Sequence, residues 1–412
     1  MKITSLRWLQ AVILGGLLSS WTAFCADAPS TDERLKKLET QLDQLAKENA
    51  ALKKELGWDG KKPLNLVEDK GKAGSVGLGG YIQTQFGAGD TPDPRFTLLK
   101  GNDGFSVRRA RINAYGKFAE HFDFMLQGEF AGLGSAMNVA MTDGYINWNR
   151  YDAFNIKAGQ YKTHFGYEQL LSDTVTPLIE RSYMNDRLTA SRQIGASITG
   201  SVLEKRLSYA AGIFNGNNVN NGFNDSDDFM FTGRIEGIPV KTKVGKQDLV
   251  WSLGVNGLVS EDANVTIGSF GFRSATNLAK ADNIFVGKRA GFGADTQLTF
   301  GRFGLLAEYI VMNYQPDNGN FTASTLDDDF NSWGYYITGT YDIVPKKLQA
   351  LVRWESSQTD NNVGGNDCEE LVAGLNWYLK GDNLKLMANY LYGQIEGKDW
   401  ESRFLARLQV AF

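Results

Sequence analysis

From Val76 to the end of the chain, apolar and polar side chains alternate with a period of two. Successive strand residues point to opposite faces, so each such run predicts a strand with one apolar face. Sixteen runs read this way: 76–88, 105–117, 121–130, 139–150, 153–162, 191–203, 205–214, 228–238, 248–259, 289–300, 302–313, 331–343, 346–357, 368–380, 383–394 and 400–412. In one of them Phe122, Phe124, Leu126, Gly128 and Phe130 oppose Asp123, Met125, Gln127 and Glu129. In another, Leu371, Ala373, Leu375, Trp377 and Leu379 share a face. In the last, Phe404, Ala406, Leu408, Val410 and Phe412 face one way, and Leu405, Arg407, Gln409 and Ala411 the other.

The connections alternate as well. Short turns are predicted at 118–120, 151–152, 203–205, 301–302, 344–346 and 381–383, and long connections at 89–104, 163–190, 215–227, 260–288, 314–330 and 358–367. Pro345 and Gly381-Asp-Asn383 suit tight reversals. An even number of strands, short turns at one end and long loops at the other describe a transmembrane barrel of the outer-membrane kind. Closure removes every unpaired edge, which hydrocarbon demands. A propeller would repeat every four strands, and no such repeat is visible. The predicted fold is all-β: a sixteen-stranded antiparallel transmembrane β-barrel over 76–412, preceded by an α-helical coiled-coil segment. A final strand closing on an aromatic residue resembles the last strand of bacterial outer-membrane barrels, although taken alone it would also fit an edge strand of a soluble sheet.

The period changes upstream. Leu35, Leu38, Leu42, Leu45, Asn49, Leu52 and Leu56 alternate at spacings of three and four, an a/d heptad seam. Ser30-Thr-Asp-Glu33 fits a capping box and Gly57 a stop, so 27–57 is expected to be a coiled-coil helix. Arg34 with Glu39 and Glu48 with Lys53 occupy g and following e positions, suited to pairing between parallel chains. The alternative is a single amphipathic helix lying on the barrel. Residues 58–75, rich in Lys, Gly and Asp, are expected to be a flexible linker. Residues 1–26, with Lys2 and Arg7 ahead of an apolar core from Leu9 to Leu18, predict a secretory signal peptide. Its removal leaves Cys368 as the one cysteine and no intrachain disulfide, unless Cys25 is kept as a lipidated residue.

Composition sharpens this picture. A mean hydropathy of -0.30 suits a barrel whose lumen-facing residues dilute the lipid-facing ones. The 24 Phe, 16 Tyr and 9 Trp suit aromatic girdles. Without Lys2 and Arg7 the chain has 41 basic residues against 47 acidic ones, which argues against nucleic acid as a partner. The two histidines, His121 and His164, are too few and too scattered for a metal site, and neither sits in a catalytic motif, so no enzyme is expected. Transport by diffusion needs no cofactor.

A barrel of this size encloses water. On the run 105–117, Ala110, Ile112, Ala114 and Gly116 form an apolar face, so Arg109, Arg111, Asn113, Tyr115 and Lys117 point into the lumen. Two inward arginines one step apart suit an anion shedding hydration water. The competing reading pairs them with Asp123, Glu129 or Asp143 as wall structure. Lys157 shares an inward parity with Asn155 and Gly159. Connection 163–190, a candidate constriction, carries Arg181 and Arg187 but also Glu168, Asp173, Glu180 and Asp186. The expected pore-constriction residues are Arg109, Arg111, Lys157, Arg181 and Arg187.

Several segments resemble the phosphate-selective porin O and P family. They are Phe105-Ser-Val-Arg-Arg-Ala-Arg-Ile112, Asp143-Gly-Tyr-Ile-Asn147, Lys157-Ala-Gly-Gln-Tyr-Lys162 with His164-Phe-Gly-Tyr-Glu168, Ile179-Glu-Arg-Ser182, Arg192-Gln-Ile-Gly195 and Ala211-Gly-Ile-Phe-Asn-Gly216. The resemblance implies a trimer of sixteen-stranded barrels with inward arginines and a third loop at the constriction. Arg109 and Arg111 match its arginine motif, and Arg181 lies in its Glu-Arg-Ser motif. In place of the lysine-rich entrance that the resemblance implies, the long connections carry Asp225, Asp227, Asp228 and Asp327-Asp-Asp329, partly offset by Lys280, Lys288 and Arg289. An acidic rim repels anions at low salt.

The reading is a homotrimeric outer-membrane porin passing small hydrophilic solutes, anions preferred. Outer-membrane lipid surrounds it, and the coiled coil lies in the periplasm, where it is expected to contact the cell wall. The rival is an envelope-tethering barrel that uses the coiled coil as a strut. Replacing Arg109 and Arg111 with Gln is expected to cut anion preference and barely alter stability. Because the pore pattern begins at Val76, deleting 31–57 should leave single-channel conductance unchanged. Loss of conductance in a deletion variant that still folds would make the helix part of the channel.

Overall fold

The computed structural model describes residues 65–69, 74–99, 102–131, 139–224, 226–266, 284–317, 329–362 and 364–412, together with positions 36, 40, 43, 44 and 47. Residues 1–64 and 65–412 form separate units. In the first, Lys36, Thr40, Asp43, Gln44 and Lys47 are helical and exposed, and the Thr40 hydroxyl donates to the Lys36 carbonyl at 2.7 Å. These are outer positions of the heptad. The signal peptide, the apolar seam and the start of the linker lie outside the described residues.

The second unit is built of strands β1 (Asn65–Asp69), β2 (Gly74–Gly89), β3 (Gly104–Phe118), β4 (Phe122–Glu129), β5 (Ala140–Tyr151) and β6 (Phe154–Lys162). There follow β7 (Arg192–Val202), β8 (Leu207–Phe214), β9 (Met230–Val244), β10 (Gln247–Thr266), β11 (Ile284–Phe300) and β12 (Phe303–Pro316). The last are β13 (Phe330–Val344), β14 (Leu348–Gln358), β15 (Asp367–Tyr378), β16 (Leu384–Ile395) and β17 (Glu401–Ala411). From β2 to β17 each strand pairs antiparallel with the next, and β17 pairs with β2 from Ala411↔Tyr81 to Arg403↔Gly89. The sheet is therefore a closed barrel of sixteen strands, one for each predicted run.

The two faces are as the alternation implies. Ile112 (51% exposed), Leu126, Leu375, Trp377, Leu408 and Val410 point outward, while Arg109, Asn376, Lys385, Leu405, Arg407 and Gln409 are buried inside. Aromatic side chains gather at the ends of the outer face, as with Phe118 stacked on Phe122 and Tyr392 stacked on Trp400. Among the described residues, no helix is long and apolar enough to cross a membrane.

The structure departs from the pattern in two places. Asn65–Asp69, within the segment expected to be linker, is strand β1 and pairs with Gly74–Gly77 of β2. β17 reaches only to Tyr81, with Phe412 exchanging two hydrogen bonds with Gly80, so the lower edge of β2 lacks a partner that β1 supplies. β9 runs to Val244, not to 238. Pro239, one residue past the end of the predicted run, sits where the β9–β10 register shifts between Val240 and Gly237, a bulge that tolerates proline.

Replacing the outward-facing Ile112 with Arg should cost about 2–4 kcal/mol if the site lies near the midplane of a bilayer. Equilibrium unfolding in bilayers measures this. A change below about 0.5 kcal/mol, the scale of an ordinary surface substitution, would remove Ile112 from the lipid face.

Candidate functional site

Connection 163–191 is the longest between consecutive strands, and it lies inside the barrel. Its Phe165, Met184 and Leu188 pack with the inward-facing Phe214, Met230, Ile310 and Tyr336. Its Leu178 and Ile179 pack with Leu351, Val372, Met387, Leu391 and Leu405. The loop contains two short helices, α1 (Tyr167–Leu170) and α2 (Tyr183–Leu188). Gly166, just before α1, has φ +84°, and a side chain there would meet the Thr189 methyl group.

A loop enclosed by a barrel must find partners for its peptide groups. The wall supplies them in sequence. Gln83 donates to the Asp173 carbonyl at 3.0 Å, Gln409 to Thr174 at 3.0 Å and Asn376 to Pro177 at 2.7 Å. Asn389 accepts from the Ile179 amide at 2.8 Å. Two wall carboxylates face helix starts: Glu308 accepts from the Tyr167 and Glu168 amides, and Glu355 from Tyr183 at 2.9 Å. Ser182 caps α2 by accepting from Asn185 N at 3.0 Å. Arg353 holds Glu168 at 2.6 Å.

The charged centre of the loop is Asp173. Its carboxylate is 2.6 Å from Arg111, 2.6 Å from Arg181 and 3.5 Å from Arg109, and it accepts from the Tyr81 hydroxyl at 3.1 Å. Glu180 follows, 3.0 Å from Arg108 and 2.7 Å from Arg407. Arg111 also meets Glu129 at 2.7 Å. Burial alone would push the Asp173 carboxyl up, but Arg181, Arg109 and Arg111 hold it well below the usual carboxylate range. Glu180 is likewise held low against its burial, by Arg108 and Arg407. His164 is driven down to about 4 by burial, with Lys157 and Arg234 adding to the effect, so it is neutral at pH 7.

Of the five expected constriction residues, the structure brings Arg109, Arg111 and Arg181 together on one carboxylate. Lys157 is elsewhere on the wall, on β6, its amine 4.2 Å from the Tyr145 ring centre and 5.3 Å from Tyr161. Arg187 lies over the Tyr183 ring at 5.3 Å. Neither forms an ion pair among the described residues. The expectation that Arg109 and Arg111 are dispensable for stability is corrected here: they hold a buried carboxylate, and their removal strands it. The rival wall-pairing reading named Glu129 rightly for Arg111. It missed Asp173 because that partner comes from a loop, whereas Asp143 pairs with Arg192 at 2.8 Å.

Sequence reasoning overlooked Arg108, which strict alternation sends to the lipid. Gln83 pairs with Arg109 and Thr84 with Val107, leaving Arg108 as the extra residue of a bulge that turns it inward. Its side chain keeps 25% exposure against 9% for Arg109 and 10% for Arg111, so it is the arginine of this group most open to lumen water. Three arginines in four positions were the signal, because an arginine facing lipid costs about 2–4 kcal/mol near the midplane. Arg407 stood in plain view on the polar face of the last strand.

The family model described as phosphate-selective porin O and P matches residues 76–412. A protein of Aquifex aeolicus (strain VF5), described as uncharacterized, is 23% identical over 305 residues, 65% of this chain. The match spans 66% of that relative's length. Among solved structures, the anion-selective porin from Comamonas acidovorans superposes with a TM-score of 0.56 at 13% identity, over 82% of this chain and 100% of that one. The outer membrane channel DcaP of Acinetobacter baumannii gives 0.54 at 12%, over 84% and 99%. The trimer form of OmpT of Vibrio cholerae gives 0.53 at 12%, over 82% and 100%. At such identities the likeness is one of fold.

Both loop carboxyls ionise more readily when folded, so the loop's anchoring is full above about pH 4, the ordinary carboxylate range, and fades as pH falls further. Asp173→Asn should loosen the loop by about 3–5 kcal/mol, the scale for breaking a buried pair. Amide exchange of residues 171–181 reads this, with the barrel strands as the internal reference. Wild-type protection of the loop in the variant would rule out Asp173 as the anchor.

Proposed function

The chain belongs to the phosphate-selective porin O and P family, and on that premise we propose that its outer-membrane channel passes small hydrophilic solutes with a preference for anions. One observation carries the preference. In the ion-pair cluster about Asp173 and Glu180, the guanidiniums of Arg108, Arg109, Arg111, Arg181 and Arg407 meet three carboxylates, those of Asp173, Glu180 and Glu129. Five positive charges against three leave the site net positive. Lysine and arginine beyond it, Lys157 and Arg187, add charge without an acidic partner among the described residues.

The anchored guanidiniums set the potential, and the exposed edge of Arg108 touches the solute. A charge in a narrow pore acts on ions inside a screening length of about 10 Å at 0.1 M salt. At the mouth, Asp227, Asp228 and Asp329 are exposed, which weakens the case for phosphate in particular and favours a general anion channel. The barrel functions as a homotrimer; a structural neighbour was solved in a trimer form. The a/d spacing of Leu35, Leu38, Leu42, Leu45, Asn49, Leu52 and Leu56 supports a coiled coil that joins three chains in the periplasm. No cofactor enters this mechanism.

Reversal potentials in a KCl gradient test the proposal. The wild type should show the sign of chloride permeation. Arg108→Gln should lower the chloride-to-potassium permeability ratio with the loop still in place. A cation-selective or unselective wild type would overturn the anion preference and leave a general pore.

A further inference from the structure

The end of the barrel with the short turns carries a feature the channel does not use. β8 begins at Leu207, opposite Gly237, and the last contact on that side is the Ile238 amide donating to the Arg206 carbonyl at 2.8 Å. On the other side β11 pairs only as far as Phe300↔Leu249, with the Gly301 amide donating to Asp248 at 3.1 Å. The stretch 239–248 therefore projects past the end of β8 as a ribbon, the tip of the β9–β10 hairpin, paired within itself through Val244↔Gln247 and Asp248↔Lys243, while on the β11 side only residues up to Gln247 lie beyond the last contact. Lys241, Lys243 and Lys246 are all exposed on it.

The flanking turns are basic too. Lys205 and Arg206 lie on one side, Arg302 and Lys346-Lys347 on the other, all exposed. The acids on these four turns are Glu204, Asp248 and Asp342. The contacts of Lys243 with Asp248 at 3.7 Å and of Lys205 with Asp152 at 3.5 Å, all four side chains 70% exposed or more, neutralise little. The first two short turns are balanced, with Lys117 and Arg150 against Glu120 and Asp152. Protection of an open strand edge accounts for Pro239 and for lysines on the ribbon. It does not account for Arg302, Lys346 and Lys347, whose strands are paired on both sides.

Reach selects the partner. Six residues from Pro239 to the turn extend about 20 Å at about 3.3 Å each, or about 15 Å along the membrane normal at barrel tilt. The headgroup layer is only about 5–8 Å deep on each side. Measured from the β7–β8 turn, whose exposed Lys205 and Arg206 already lie outside the hydrocarbon, that reach carries Lys243 and Lys246 past the headgroups into the periplasm, the side of the short turns. We propose that the 239–248 ribbon and the basic turns beside it are a docking surface for an anionic periplasmic polymer, the carboxylate-bearing peptide–glycan of the cell wall.

Cosedimentation of the full-length protein in detergent with purified cell-wall sacculi tests this. The wild type should sediment with sacculi at low salt, release at high salt, and ignore sacculi whose carboxylates have been amidated. The triple variant K241Q/K243Q/K246Q should bind on the order of tenfold or more weakly, with conductance unchanged. A second variant, R302Q/K346Q/K347Q, leaves the ribbon untouched and should lose part of the binding. Deletion of 31–57 should leave binding intact. Wild-type sedimentation by the ribbon variant, loss of binding on deleting 31–57, or equal capture by phosphatidylglycerol vesicles would each overturn the proposal, the last in favour of lipid headgroups.

Discussion

A single carboxylate inside the barrel organises the rest. Asp173 gathers Arg109 and Arg111 from β3 and Arg181 from its own loop, and takes a hydrogen bond from Tyr81 on β2. Alone in the lumen it would be a buried charge at a heavy desolvation cost, and the arginines would be too. Together they form a cluster in which every member is satisfied only while the loop is inside. The geometry of the narrow region is therefore not imposed by the barrel alone. It is a contract between wall and loop, and either side leaves the other with unpaired charge.

The apolar clusters show why this arrangement is a folded core and not a flap. Phe165, Met184 and Leu188 on one side, and Leu178 and Ile179 on the other, convert part of the lumen wall into interior. Residues such as Leu405, Met387 and Ile310 face inward in a barrel whose outer face is also apolar. They make sense only as partners of the loop. The pore is what remains after this packing, edged by Arg108 and by polar wall residues.

The same economy limits the electrostatics. Most of the positive charge around Asp173 and Glu180 is used structurally, and in the proposed channel only the excess over the carboxylates acts on a passing ion. In the proposed channel selectivity and stability share side chains, so a substitution that alters one alters the other. Arg108 is the exception, since its bulge position leaves an edge exposed while Glu180 orients it.

The strands were legible because lipid outside and water inside enforce a strict period of two, and sixteen runs of that period correspond to sixteen barrel strands. The inward parity of Arg109, Arg111 and Lys157 followed from the same rule. Where the rule fails locally, the sequence misled: the bulge at Arg108 reverses a parity, and the run read to 238 continues through a bulge at Pro239 to Val244. Sequence alone also exposed the charges of the third long loop, but not their partners. Asp173 and Arg111 are 62 residues apart, and Glu180 and Arg407 are 227 apart. Local pattern carries no information about such pairs. They are chosen when barrel closure and loop packing bring distant segments to one place, where a buried charge must find its opposite.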